Sequence, residues 1–356
     1  MKKQGIELLE LLCQKFGPTG CEGEVADAII EQLEDNCDKI AKDSFGNVYA
    51  VIYGSGEGKK EKIMISSHMD EVGFMVRDIT DGGHIKFSTL GGIDPRVLYG
   101  KQVVLGNEDK RICGVIAATA IHHKRREDRY NVTKIEDMYI DIGAADAEEA
   151  KKYADLGDFV VFNSDFVRFG SEGKFVKGKA IDDRAGCAVM IETIRKIREE
   201  KLELPFDLYF CFTVREEVGR SGAKVAAERV KPSRAIILES TAIADIADVS
   251  PEKRVADVGE GGVISLMDRS TIYNADFVKF TLETAKENGI KAQVKRYVSG
   301  GNDAGHIHKT GVGVKCVAIS LATRYLHSPA CVASVEDYES IRELVFAMLK
   351  NMKTEA

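Results

Sequence analysis

Ile63-Met64-Ile65-Ser66-Ser67-His68-Met69-Asp70-Glu71 is the stretch on which the fold turns. Its opening apolar run reads as a buried strand, and the strand ends in an imidazole with a carboxylate two residues on. In an extended chain residues i and i+2 project to the same side. Asp70 is thus placed to hold one nitrogen of His68 while the other binds a metal. A lone His-x-Asp pair is weak evidence, because many are incidental. The change of texture on either side of it says more.

Upstream, the pattern predicts helices over residues 3–16 and 22–35 and strands near 47–53 and 62–67. Downstream, from about residue 72 to 165, short β-like runs follow one another: Val72–Val76, His84–Phe87, Gln102–Leu105, Arg111–Ile116 and Asp158–Phe162. Asp81-Gly82-Gly83 and Gly91-Gly92 punctuate them, which is the rhythm of a small barrel or sandwich. After about residue 182 helices and strands alternate again. Helical periodicity over Ala185–Glu199 precedes the β-branched and aromatic run Asp207–Val214. Further on come a helix at Ser221–Glu228, a strand at Arg234–Leu238, a helix at Ala275–Asn288 stopped by Gly289, a strand at Lys315–Leu321 and a closing helix at Ser334–Met352. The expectation is an α/β domain formed by residues 1–70 and 167–356, interrupted by a β insert at 71–166.

Composition narrows the function. With 44% apolar and 30% charged residues, the 356-residue chain is of the soluble globular kind, with ample core. A net charge of −7 and no basic block beyond Lys124-Arg125-Arg126 argue against nucleic acid as a partner. No apolar run approaches the roughly 18 residues that span a bilayer. Glu7 and Glu10 interrupt what would be the apolar core of a signal peptide. Eight scattered cysteines without a Cys-x-x-Cys pair read as reduced thiols of a cytoplasmic protein.

Five sites share one pattern, metal-type side chains at the ends of expected strands: His68, Asp182-Asp183, Glu216-Glu217, Glu239 and His327. In an open, mostly parallel sheet, ligands gather beyond the carboxyl ends of the strands. Each site also has an ordinary reading. Adjacent glutamates sit comfortably in a surface loop, Asp182 or Asp183 suits a helix N-cap, and a loop histidine is usually surface. Adjacent residues point different ways, however, so one of the Glu216-Glu217 pair could bind metal while the other aims at a reacting water. Gly219 and Gly222 would permit the tight turn that exposes them. Two histidines, three carboxylate ligands and one further carboxylate are what a two-metal hydrolase requires. Nitrogen and oxygen donors without cysteine suit Zn²⁺ or Co²⁺, with Mn²⁺ also possible.

Six segments carry a resemblance: SSHMDEVGFMV (66–76), GKAIDDRAGCAV (178–189), TVREEVGRSGA (213–223), LESTAIADI (238–246), SGGNDAGHIH (299–308) and ATRYLHSP (322–329). In this order and over most of the chain, they resemble the tetrahedral aminopeptidase family, which includes glutamyl, leucyl and lysyl aminopeptidases. The resemblance implies a three-layer zinc-peptidase-type catalytic domain with a mixed, mostly parallel sheet, and a small PDZ-like β-barrel inserted for dimerisation. It implies one metal held by His68, Asp182 and Glu239, and another by Asp182, Glu217 and His327. Glu216 would be the general base acting through a metal-bridging hydroxide, Asp70 would orient His68, and Asp183 would stand behind the bridge or cap the helix. The implied activity is removal of the N-terminal residue from short peptides, in a homodimer that builds a dodecamer. Deblocking of N-acylated peptides and a non-catalytic, metal-dependent assembly role are the alternatives. A glycosidase is not, because it needs two carboxylates flanking a glycosidic bond rather than ligands that include imidazoles. Glu239 stands where many members have Asp. His306 and His308 have no counterpart role, His122-His123 reads as surface, and nothing assigns a task to Glu71.

Overall fold

The computed structural model describes residues 2–107 and 110–354. A large mixed sheet runs through the protein, with four parallel strands side by side at its centre. In spatial order these are Asp207–Thr213, Lys62–His68, Arg234–Ala242 and Lys315–Arg324. Antiparallel strands extend both edges: Val48–Ile52 and Lys39–Lys42 on one side, Cys331–Ser334, Phe175–Gly178 and Val167–Phe169 on the other. The central strands are buried almost end to end, as are all five residues of Val48–Ile52. Strands with both faces covered need helices above and below, and their sequences lose the in–out alternation of a half-exposed sheet. Helix Ile181–Glu199 supplies much of that cover. It is buried over Ile181–Ile194 and packs between the sheet and helices Gly5–Gln14 and Val335–Asn351.

Between His68 and the return to the sheet, six antiparallel strands close into a barrel. They are Gly73–Ile79, Ile85–Leu90, Gln102–Gly106, Arg111–Ala117, Tyr139–Asp141 and Phe159–Phe162. The barrel has a core of its own, in which Phe74 meets Phe87 and Phe162 edge to face at centroid distances of 5.0 and 5.3 Å. Closure leaves it no unpaired edge to guard.

Several strand readings need correction: Val167–Phe169, Phe175–Gly178, Gly262–Ile264, Ala292–Val294 and Cys331–Ser334 are short strands that the sequence pattern did not mark. Lys39–Lys42 and Tyr139–Asp141 also went unmarked, being short and largely polar or exposed. Arg234–Leu238 continues to Ala242, so Glu239 lies inside a strand and not at its end. Its side chain still opens onto the site, because the neighbouring strand pairs with this one only as far as Ile237 opposite Ser66. None of the helices is long and apolar enough to cross a membrane among the described residues. Cys13, Cys187, Cys211, Cys316 and Cys331 are buried thiols.

Candidate active site

The carboxyl ends of the parallel strands and the start of helix Ile181–Glu199 bring His68, Asp182, Glu216, Glu217, Glu239 and His327 together. His68, Asp182 and Glu239 each offer a donor atom within 4.8 Å of the others, and so do Asp182, Glu217 and His327. Asp182 belongs to both groups, and its two oxygens face different imidazoles. Oδ1 lies 3.3 Å from His68 Nε2, and Oδ2 lies 3.4 Å from His327 Nε2. Glu217 Oε1 is 3.3 Å from His327 Nε2, and Glu239 Oε2 is 3.8 Å from His68 Nε2.

The unused ring nitrogens are held by main chain. His68 Nδ1 is 3.0 Å from the Asp70 carbonyl oxygen, and His327 Nδ1 is 2.7 Å from that of Gly92, which follows a barrel strand. With Nδ1–H donating to those carbonyls, both Nε2 atoms are left facing the carboxylates. The Asp70 carboxylate stands farther from His68 Nδ1, at 3.5 Å. It accepts instead from Glu216 N–H at 3.0 Å, Glu217 N–H at 3.1 Å and the Thr19 hydroxyl at 2.8 Å. The strand stops at His68, so the i, i+2 rule no longer governs where Asp70 points. Asp70 organises the glutamate turn more directly than it organises the imidazole.

That turn leaves the Asp207–Thr213 strand through Arg215 in the left-handed region (φ +58°) and Gly219 (φ +91°). Gly222 closes it against Val214, where an added Cβ would lie 2.1 Å from the Val214 carbonyl oxygen. Glu216 Oε1 accepts from Arg220 Nε at 2.7 Å, and Arg220 Nη2 donates to Gly301 O at 2.7 Å. Asp183 caps the regular part of its helix by accepting from Gly186 N–H at 3.2 Å, and takes the Ser67 hydroxyl at 2.6 Å.

Charge in the cluster is out of balance. Asp70, Asp182, Asp183, Glu216, Glu217 and Glu239 crowd against two imidazoles and Arg220. Burial pushes the Glu216 carboxyl up to about 8, with Asp303 and Glu217 adding repulsion. Glu239 is driven well above the usual carboxylate range, again chiefly by burial. Burial pulls the His327 imidazole down, but Asp182 and Glu217 outweigh it and hold the ring up at about 11. Asp182 runs the other way: burial opposes its charge, yet the two imidazoles keep it well below its ordinary value. Asp182 Oδ1, Glu217 Oε1 and Glu239 Oε1 are buried with no hydrogen bond among the described residues. Inward-facing carboxylate oxygens that make no hydrogen bond, beside two aligned Nε2 atoms, are a donor set that fits divalent cations.

A cleft of about 460 Å³ opens on the cluster. Beyond the donors it is walled by Arg220, Asp268, Lys295, Asn302 and His306, a size and polarity suited to one or two residues of a peptide. His306 faces the cleft, whereas His308 Nδ1 is taken by Ala304 O within its own helical turn, at 2.6 Å. His122 and His123 lie exposed on the barrel. Asp245, which follows Glu239 in sequence, pairs with Arg324 through two contacts of 2.7 and 2.8 Å, outside the donor groups.

Residues 46–344 match the M42 glutamyl aminopeptidase family. The chain belongs to that family. It is 38% identical over 342 residues to a putative aminopeptidase of Acetivibrio thermocellus, covering 96% of this chain and 97% of that protein. The fold superposes on a TET aminopeptidase from a marine sediment archaeon of the Thaumarchaeota with a TM-score of 0.93, at 34% identity, covering 98% and 96% of the two chains. A TET peptidase of Pyrococcus horikoshii, described as able to assemble into a tetrahedron or a large octahedral shell, gives 0.87 at 34% identity, covering 98% and 99%. As a member of the M42 family this chain is a peptide hydrolase, and its sheet-and-barrel architecture is the one these relatives share.

Proposed function

We propose that this aminopeptidase works with two divalent cations, zinc or cobalt foremost, and removes the N-terminal residue from short peptides. One observation carries the reading: Asp182 turns one oxygen toward each imidazole, and so joins the group of His68 and Glu239 to that of Glu217 and His327, while Glu216 and Glu217 also stand within reach of His68. His68, Asp182 and Glu239 would hold one cation, and Asp182, Glu217 and His327 the other. Bound there, such a pair supplies Lewis acidity and a water that ionises near neutral pH.

The chain's own residues do the rest. Glu216 reaches the cluster with Oε1 tied to Arg220, so its other oxygen is the one available to take the proton of the attacking water. It then returns that proton to the leaving amine, a general base that becomes a general acid. Asp70 holds the main chain of Glu216 and Glu217 in place. The cleft walls orient the N-terminal residue beside the cluster.

Assembly follows the TET relatives: a homodimer at least, and a dodecamer in the fuller form. Tyr130 (90% exposed), Val132 and Ile121 on the barrel's irregular segment are apolar groups that such contacts would cover. Buried thiols such as Cys13, Cys187 and Cys211 fit a reducing compartment, and we assign the enzyme to the cytoplasm.

The test is a single preparation assayed for bound metal by mass spectrometry and for hydrolysis of aminoacyl-p-nitroanilides and matched N-acetylated peptides. Two metals per chain with cleavage of free-amine substrates only is the expected result. Preference for acetylated substrates would move the enzyme to the deblocking class, and metal binding without turnover would leave an assembly protein.

A further inference from the structure

Glu71 has no part in the chemistry above, yet it is 2% exposed. A carboxylate at that depth is costly unless it is paired. Its Oε1 accepts from Lys179 Nζ at 2.5 Å and lies 3.4 Å from Arg184 Nη2. Both partners are buried too, Arg184 completely. They stand at the two ends of Lys179-Ala180-Ile181-Asp182-Asp183-Arg184, with Asp182 between them. A single oxygen thus ties down both ends of the turn that presents Asp182.

The rest of the network closes around the same point. Arg184 gives Nε to Met69 O at 2.5 Å, Nη1 to Leu12 O at 2.6 Å and Nη2 to Gly17 O at 3.0 Å. Lys179 Nζ also donates to Lys15 O at 3.0 Å. The main chain of Glu71 donates to Gly17 O at 3.0 Å and accepts from Thr19 N–H at 3.1 Å. Segments 12–19, 69–71 and 179–184 are in this way stitched together through three buried charges. Glu71 and Lys179 line the same narrow crevice as Asp182, Glu217 and His327, which puts the ion pair directly behind the donor cluster.

Stability alone is a poor reason for such a network, since apolar groups of equal volume commonly serve as well or better in place of buried ions. Fixed geometry is a better one. We infer that Glu71 is a positioning residue for Asp182, holding the 179–184 turn so that the two carboxylate oxygens stay aimed at the two imidazoles. The inference rests on the reading of Asp182 as the donor shared by both cations.

Two variants test it: E71Q, which keeps shape and removes charge, and E71Q/K179M, which leaves no ammonium without its partner. Each is stripped with chelator and titrated with Zn²⁺ in competition with a chromophoric chelator, then assayed for kcat and KM well below its melting temperature. The expected result is Zn²⁺ affinity weakened about tenfold or more at both sites. A fall in kcat of similar size is expected, with KM within about twofold of the parent. A lowered melting temperature with parental Zn²⁺ affinity and kcat overturns the inference. Failure of both variants to fold also overturns it, because the network would then serve folding and not placement. Stripped parent protein separates the two levels: if it takes up fewer than two Zn²⁺ per chain, the shared-donor reading itself fails.

Discussion

Glu216 and Glu217 are neighbours in sequence with different surroundings, which is what the proposed division of labour rests on. Glu217 Oε1 is buried, makes no hydrogen bond and faces His327 Nε2 at 3.3 Å, whereas Glu216 Oε1 is already engaged by Arg220. E216Q should therefore keep both metals, measured by mass spectrometry, while turnover of an aminoacyl-p-nitroanilide falls by roughly 10²–10⁴-fold. Loss of metal in that variant would place Glu216 among the ligands. R220M should lower kcat by about tenfold or more with little change in metal content, since it frees the base to rotate; unchanged kinetics would make the pair incidental. At this scale much was legible beforehand. His68, Asp182, Glu239 and His327 stood out because imidazoles and carboxylates at strand ends are rarely wanted for packing. Arg220, Lys179 and Arg184 did not, because a cation says nothing in sequence about which carboxylate it will meet. Glu71 was invisible for the same reason: its partners lie 108 and 113 residues away.

At the scale of the element, the Val214–Gly222 turn does the most with the fewest residues. Asn47 spans it, accepting from Val214 N–H at 3.1 Å and donating to Gly222 O at 3.2 Å. G222A would press a methyl group into the Val214 carbonyl. It should cost about 2–3 kcal/mol of stability, read by denaturant unfolding, and reduce kcat/KM more than it reduces helix content. Wild-type stability and activity together would show that the turn relaxes freely. The turn's glycines were readable from sequence because tight turns need them, and the strand before it was readable from its aromatic and apolar run. The true length of the Arg234–Ala242 strand was not, since Glu239-Ser240-Thr241 looks like a strand's exit. Only the neighbouring strand's early end explains why a glutamate is tolerated there.

For the whole molecule, the surplus of acid in the cluster sets how stability depends on pH once cations are withdrawn. Burial raises Asp183 to about 7 and Glu216 to about 8, and neighbouring carboxylates raise His327 to about 11 against its burial. A group raised on folding adds stability below its unfolded value, and that stability is lost as pH climbs through the folded one. The windows run from about 4 to 8 for the carboxyls and from about 6.5 to 11 for the imidazole. Asp182, held low, contributes fully throughout both windows. Chelated protein should accordingly melt at lower temperature at each step from about pH 5 to pH 9. The rise in melting temperature on adding Zn²⁺ should grow over the same range, because cations displace those protons; a rise that shrinks with pH counts against a metal cluster at this site. The sequence conveyed the two-part architecture well, since barrel and sheet have different rhythms. It did not convey that the parts share the site. The contact of Gly92 O with His327 Nδ1 has a practical consequence here. Splicing residue 70 directly to 167 would keep His68, Asp182, Glu217, Glu239 and His327 and discard the carbonyl that holds the Nδ1 side of His327. The insert is therefore no detachable cassette: anyone grafting, swapping or trimming it also edits the setting of an imidazole in the candidate site.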